Sequence, residues 1–97
     1  MMESTELRIG NFIYDVGGIE ARVLKLIEGK VMLCSPIPLT TEWMIRFDVP
    51  CEMGEKVFEL FTHKGDFVIY KDLVKYVHQY QNLYFALTGE ELMPNEE

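Results

Sequence analysis

Apolar and polar residues alternate in several short runs along the first third of the chain, a pattern that predicts β-strands. A first strand is predicted over residues 11–16, where a run of β-branched and aromatic residues ends at two glycines. Residues 20–27 and 30–34 alternate on either side of Glu28-Gly29, and a two-residue loop that ends in glycine is typical of a β-hairpin. The region is therefore predicted to form antiparallel sheet.

The middle of the chain carries the signals of an extended connector and a short helix. Two prolines within residues 35–38 restrict the backbone and disfavour helix there. Thr40 is a suitable N-cap, and Glu42 would lie in the first turn, where a carboxylate suits the helix dipole. Trp43 and Phe47 are four residues apart and share one face, which we expect to pack against the sheet.

The second half contains another predicted hairpin and a terminal helix. Residues 57–61 and 67–70 are the predicted strands, with Gly65 in the loop, and residues 48–55 before them have the composition of a linker. A helix is predicted from residue 76 or 77 to 88, because Gly89 is a typical C-terminal cap.

These elements predict an α+β fold. We expect a small SH3-like antiparallel barrel or a strongly bent sheet, with a short interposed helix and the C-terminal helix packed on it. Residues 73–76 are predicted to supply one more strand before that helix. A five-stranded OB-type barrel or an open sheet with one packed helix is the alternative. Residues 1–97 are predicted to be one domain, with an ordered core over about 7–92 and an acidic C-terminal tail.

The charge of the chain narrows the classes of partner. Sixteen acidic and nine basic residues give a net charge of −7, and the bases are scattered singly. Nucleic acids and anionic membranes attract clustered bases, so neither is the expected partner. The first residues do not resemble a secretory signal, and no apolar run is long enough to cross a membrane. A cytoplasmic protein is expected, with Cys34 and Cys51 reduced and serving as small apolar residues.

Three segments carry a resemblance to a known family. The run KYVHQYQNLYFALTGEEL at 75–92, the run IPLTTEW at 37–43 and the run LRIGN at 7–11 resemble, in the same order, small uncharacterised proteins of Bacteroides-type gut bacteria and their phages. Tyr80 stands where that motif has a leucine. The resemblance implies association with a phage or mobile element and supplies no catalytic or binding residue.

The terminal helix carries the candidate interaction surface. His78, Gln79, Gln81 and Asn82 form a polar stripe without charge, which suits hydrogen bonding to the backbone of a partner. The alternative is that Gln81 and Asn82 bond to loops of their own chain. Residues 84–87, which include Tyr84 and Phe85, are apolar around the whole helix, which indicates either the core or a homodimer contact.

The residues indicate little catalytic chemistry. His63 or His78 beside Cys34 or Cys51 would be a nucleophilic pair, but no local motif supports one, and no metal-ligand spacing or phosphate-binding glycine loop is present. No cofactor is expected.

The leading hypothesis is therefore a non-enzymatic protein-interaction module whose protein partner is unknown. The alternative is a nucleic-acid-related barrel. It would use Arg8, Arg22, Lys25 and Arg46 as a basic patch, or it would imitate nucleic acid with the acidic C-terminal half.

Overall fold

The computed structural model of the protein describes residues 7–15, 17–23 and 35–94. The elements in chain order are β1 (Phe12–Tyr14), β2 (Glu20–Arg22), α1 (Thr41–Phe47), β3 (Cys51–Met53), β4 (Val57–Thr62), β5 (Gly65–Tyr70), a 3₁₀ turn (Lys71–Leu73) and α2 (Val77–Thr88). They form a two-stranded sheet, β1-β2, and a three-stranded sheet, β3-β4-β5, both antiparallel. The α+β prediction is confirmed, and the strands within the described ranges do not close into a barrel.

The N-terminal sheet is formed by β1 and β2 in the described residues. β1 and β2 pair over three residues, with Ile13 opposite Ala21, and the other edge of β1 meets the connector through a bridge between Tyr14 and Ser35. The predicted hairpin around Glu28-Gly29 falls largely on residues 24–34, outside the described residues.

The predicted short helix is confirmed. The Thr40 hydroxyl accepts a hydrogen bond from the Trp43 N–H at 3.3 Å, as expected of an N-cap. Trp43 and Phe47 are buried, and the Trp43 ring lies 5.3 Å from that of Phe12. α1 ends at Asp48, whose left-handed backbone (φ 54°) turns the chain toward the second sheet.

The three-stranded sheet corrects one prediction and extends another. Residues 48–55 are not simply a linker, because Cys51–Met53 form β3 and pair with β4. The strands of the second hairpin extend closer together than predicted, so that its loop is only His63 and Lys64. Gly65 begins β5 at φ 133°, a backbone conformation that glycine adopts without strain.

The chain between β5 and α2 does not form the predicted strand over residues 73–76. The Val74 N–H donates to the Lys71 carbonyl at 3.1 Å, which closes a 3₁₀ turn, and only Tyr76 makes a bridge, to Pro38. α2 itself agrees with the prediction, since it begins at Val77 and ends at Gly89, which is left-handed (φ 76°).

The inner face of α2 closes the main hydrophobic core. Val77 and Tyr80 are fully buried beside Phe58 and Leu60 of β4, and the Tyr80 ring lies 5.7 Å from that of Phe47. Neither helix in the described ranges has the length and apolar character needed to cross a membrane.

Candidate functional site

A groove of about 510 Å³ runs between β5 and α2. Residues 68–70 of β5 and 73–74 of the turn line one side, and His78, Gln79, Asn82 and Leu83 of α2 line the other. The Gln79 side chain fixes the upstream end of the helix, because its Oε1 accepts from the N–H groups of Lys75 (2.8 Å) and Tyr76 (3.1 Å). The groove therefore has a firmly placed helix as one of its walls.

The strand side of the groove carries exposed apolar side chains. Side chains alternate across a strand, so Phe67 and Ile69 face the core while Val68 and Tyr70 point outward. Val68 is 67 % exposed, Tyr70 66 % and Leu73, just beyond the strand, 69 %. Clustered exposed apolar side chains mark binding surfaces more often than single ones do.

β5 is also an edge strand within the described residues, where it pairs only with β4. Antiparallel pairs alternate between hydrogen-bonded and non-hydrogen-bonded positions. The Lys71 N–H donates to the Lys56 carbonyl at 2.9 Å, so this pair is a hydrogen-bonded position. Val68 lies opposite Glu59 in the same register, and the alternation makes Val68 and Tyr70 non-hydrogen-bonded positions. It follows that the backbone N–H and C=O groups of Val68 and Tyr70 point away from β4, toward the groove side.

The opposite flank of α2 holds a buried amide. Gln81 is 1 % exposed, and its Oε1 accepts from the Phe12 N–H at 2.8 Å. Its Nε2 donates to the carbonyls of Gly10 (3.1 Å) and Leu92 (3.4 Å). Both donors and the acceptor oxygen are thus used, which lets a polar side chain be buried at little cost.

A second group of polar contacts continues from this flank toward the surface through Asn82, which also lines the groove. Asn11 Nδ2 donates to Asn82 Oδ1 at 3.0 Å, and Arg8 Nη1 donates to the same oxygen at 3.3 Å. The Arg8 guanidinium lies 3.8 Å above the centre of the Phe85 ring and pairs with Glu91. α2 is therefore tied to both terminal segments of the described chain.

Three of the six residues of the predicted interaction surface, His78, Gln79 and Asn82, line the groove, and the other three do not. His78 and Gln81 are each 1 % exposed, so the chain itself covers them. Gln79 and Asn82 line the groove, Tyr84 packs partly buried against the core, and Phe85 is 38 % exposed beneath Arg8. The alternative, in which Gln81 and Asn82 bond to loops of their own chain, is confirmed by their contacts.

The other candidate groups are placed apart from the groove. His63 lies in the β4–β5 turn with its Nε2 3.0 Å from a Glu90 carboxylate oxygen. Cys51 is a partly buried free thiol, and Cys34 is outside the described residues. Within the described ranges, no three His, Cys, Asp or Glu residues cluster as metal ligands would.

The arginines of the predicted basic patch interact with their own chain. Arg8 pairs with Glu91, and Arg46 pairs with Glu20 at 3.2 Å while lying over the Trp43 ring. The third arginine of the patch, Arg22, approaches the Phe12 ring at 5.1 Å. The remaining member, Lys25, lies outside the described residues.

The Tyr80 hydroxyl is buried and has no hydrogen-bond partner among the described residues. Burial raises the pKa of this phenol well above its usual range, and the Cys51 thiol and Tyr84 hydroxyl nearby raise it further.

The residues that define the groove are not marked by any motif in the sequence. The sequence carries one signal of the groove. Val68, Tyr70 and Leu73 make the outer side of the β5 region apolar, in addition to the side that faces the core. Both faces of a strand are apolar when both are covered by protein, whether by the same chain or by another.

No family model, curated protein or solved structure matches the chain.

Proposed function

We propose that the chain is a non-enzymatic protein-interaction module that binds its partner through the groove between β5 and α2. The observation that carries this proposal is the group of exposed apolar side chains that line the groove, Val68 and Tyr70 on the edge strand β5 and Leu73 in the turn after it. Each of the three is about two-thirds exposed, so its apolar surface contributes little to the folding of this chain. Burial against a partner is what gives such surface a stabilising role.

The edge of β5 supports the same function. An unpaired strand edge is a template for another strand, and proteins commonly protect such edges with charge, proline or a bulge. Val68 and Tyr70 provide neither charge nor proline, and the β4–β5 register runs without a bulge. An edge of this kind is suited to binding.

Two finer features belong to this proposal. A bent, SH3-like path of the strands is supported by the meander β3-β4-β5 with α2 packed over its inner face. A cytoplasmic role connected with a phage or mobile element is supported by the resemblance of residues 75–92, 37–43 and 7–11 described above.

Selection from a displayed library of random peptides tests the function even though the partner is unidentified. We expect peptides selected on the wild-type protein to lose binding to Val68→Lys. Ile45→Lys is the matched control, because Ile45 is exposed to the same degree (70 %) but lies on α1. Selected peptides that bind Val68→Lys as well as the wild type would refute the proposed site.

A second copy of the chain is the other occupant to be tested, since the sequence leaves a homodimer contact open. Light scattering at high micromolar concentration, compared between the wild type and Val68→Lys, detects it. Tyr84 belongs to the possible homodimer contact, but Tyr84→Glu would not test it. Tyr84 packs against the core, where a charge would disturb folding.

A further inference from the structure

The two ends of the groove differ in charge. Lys71 follows β5 and is joined to Lys56 by a backbone hydrogen bond of 2.9 Å, and Lys75 precedes α2, its N–H bonded to the groove residue Gln79. Asp72 is the acid within this stretch, so the end carries an excess of positive charge in a chain of net charge −7. The first turn of α2 adds no acid.

These lysines are available for a ligand. The ion pairs that we find among the described residues use arginine or histidine as the cation. None of them includes Lys56, Lys71 or Lys75. At the other end of β5, Lys64 is accompanied by Asp66, and the His63–Glu90 pair lies at the same turn, so this end carries no excess of positive charge. A ligand lying along the groove therefore meets a positive end and an end without excess positive charge.

The backbone of β5 defines the shape of that ligand. The N–H and C=O groups of Val68 and Tyr70 point away from β4, at the spacing that an added strand requires. A peptide in this position would place alternate side chains over Val74 and Leu83, which line the groove. This is the arrangement by which proteins extend a sheet with a peptide from another protein.

We propose that the groove binds an extended peptide segment of a partner protein, which adds as a strand to β5, places apolar side chains in the groove and acidic side chains beside Lys71 and Lys75. This inference rests on the proposed function, since it names the partner of the same groove. A second copy fits less well, because the one acid of its own β5, Asp66, is balanced by the neighbouring Lys64.

Synthetic peptides test the charge requirement directly. The probe is a short blocked peptide of alternating valine and threonine with two aspartates at one end, made in both chain directions. We expect the better of the two directions to shift the amide NMR signals of Val68 and Tyr70, and the version with lysines in place of the aspartates to bind roughly tenfold more weakly. Equal affinity of the aspartate and lysine peptides would overturn the inference.

Charge reversal on the protein locates the acidic end. Lys71→Glu combined with Lys75→Glu is expected to reduce affinity for the aspartate peptide roughly tenfold and to reduce the dependence of binding on salt. Lys64→Glu, the same change at the opposite end of β5, serves as the control and is expected to change affinity less than about twofold. An equal loss in both variants would show attraction by net charge alone and would contradict the proposed orientation.

A backbone substitution tests the strand pairing. Val68→Pro removes an N–H that points away from β4, and proline is tolerated at such edge positions. We expect it to abolish peptide binding while Val68→Thr, which keeps the N–H and the β-branched shape, retains it. Circular dichroism checks whether Val68→Pro is folded, and Val68→Glu, which keeps the N–H, is the second variant if it is not. Retained binding by a folded Val68→Pro protein would overturn the proposal.

The inference and the proposed function fail in different ways. Library peptides that depend on Val68 but carry no acidic residues would overturn the inference and leave the interaction module standing. Library peptides that are indifferent to Val68 would remove both.

Discussion

The two flanks of α2 distribute polar and apolar side chains in opposite ways. Toward β1, the polar side chains of Gln81 and Asn11 are buried, each at 1 % exposure. Toward β5, the apolar side chains of Val68 and Tyr70 are left two-thirds exposed. We refer to these as the amide flank and the groove flank.

The difference shows that polarity alone does not decide what is buried in this protein. Gln81 is buried because its oxygen and both of its amide hydrogens meet partners on Phe12, Gly10 and Leu92. Val68 stays exposed because no described element lies over it. The polar groups of Gln81 are satisfied within the chain, whereas the groove flank has exposed apolar side chains and backbone groups that point away from β4.

Among the tests of this difference between the flanks, removal of the Gln81 amide should have the largest effect on the free energy of unfolding. Gln81→Leu keeps the volume but leaves the buried Phe12 N–H and Gly10 carbonyl without their partner, so we expect a loss of about 3 kcal/mol or more in the free energy of unfolding. Urea denaturation measures it. Gln79→Leu is the control on the groove flank and should cost about 1 kcal/mol, because Gln79 contributes only capping hydrogen bonds. Equal losses would show that the flanks do not differ in this way.

Tyr80 sharpens the comparison, because its buried hydroxyl lacks the partners that Gln81 has. Its raised pKa means that above about pH 10 the unfolded chain releases a proton that the folded chain retains, so stability falls as the pH rises. The contribution approaches about 1.4 kcal/mol per pH unit and should be missing from Tyr80→Phe. Unfolding measured from pH 8 to 11 tests this, with the exposed Tyr70→Phe as control. Identical alkaline profiles for the wild type and Tyr80→Phe would contradict it.

Arg8, at the outer edge of the amide flank, should have an intermediate effect on stability. Arg8→Met retains an apolar stem but loses the contact with the Phe85 ring and the hydrogen bond to Asn82, so we expect about 1 kcal/mol less stability. Thermal unfolding at low and high salt checks it, and the difference between the proteins should shrink with salt because of the Glu91 pair. A salt-independent difference would assign the effect to packing alone.

The groove flank should show the smallest effect on folding. Val68→Thr and Leu73→Gln change exposed side chains, and we expect the free energy of unfolding to stay within about 0.5 kcal/mol of the wild type. Urea denaturation measures this too. A larger loss from either variant would mean that these residues stabilise the chain itself, and the flank would then need no partner to explain it.

The sequence predicts the helices and the second hairpin well because their signals are local. Thr40 caps α1, Gly89 ends α2, and the apolar runs on either side of Gly65 pair as expected. The strand expected over residues 73–76 fails because tertiary context overrides β-propensity there. The Lys71 N–H bonds to Lys56, and the chain then turns toward α2.

The site is harder to predict, because it depends on contacts between distant residues. The polar stripe of α2 is visible in the sequence, but only the fold shows that Gln81 reaches Phe12 and Gly10, about 70 residues earlier, and is thereby buried. The groove likewise depends on which strand lies at the edge. Apolar residues on both faces of β5 indicate coverage, but the sequence does not say whether that cover belongs to the same chain.

The bonds of Gln81 have a consequence for biosynthesis. Residues 10–12 are made early, yet the side chain that satisfies their backbone is made near the other end of the chain. Ribosomes extend the chain from its amino terminus, so β1 and the residues before it emerge long before Gln81 does. We expect nascent chains that are halted ahead of residue 81 to be cleaved by protease near residues 10–12, and chains with an added C-terminal linker long enough to bring Leu92 out of the ribosome to resist such cleavage.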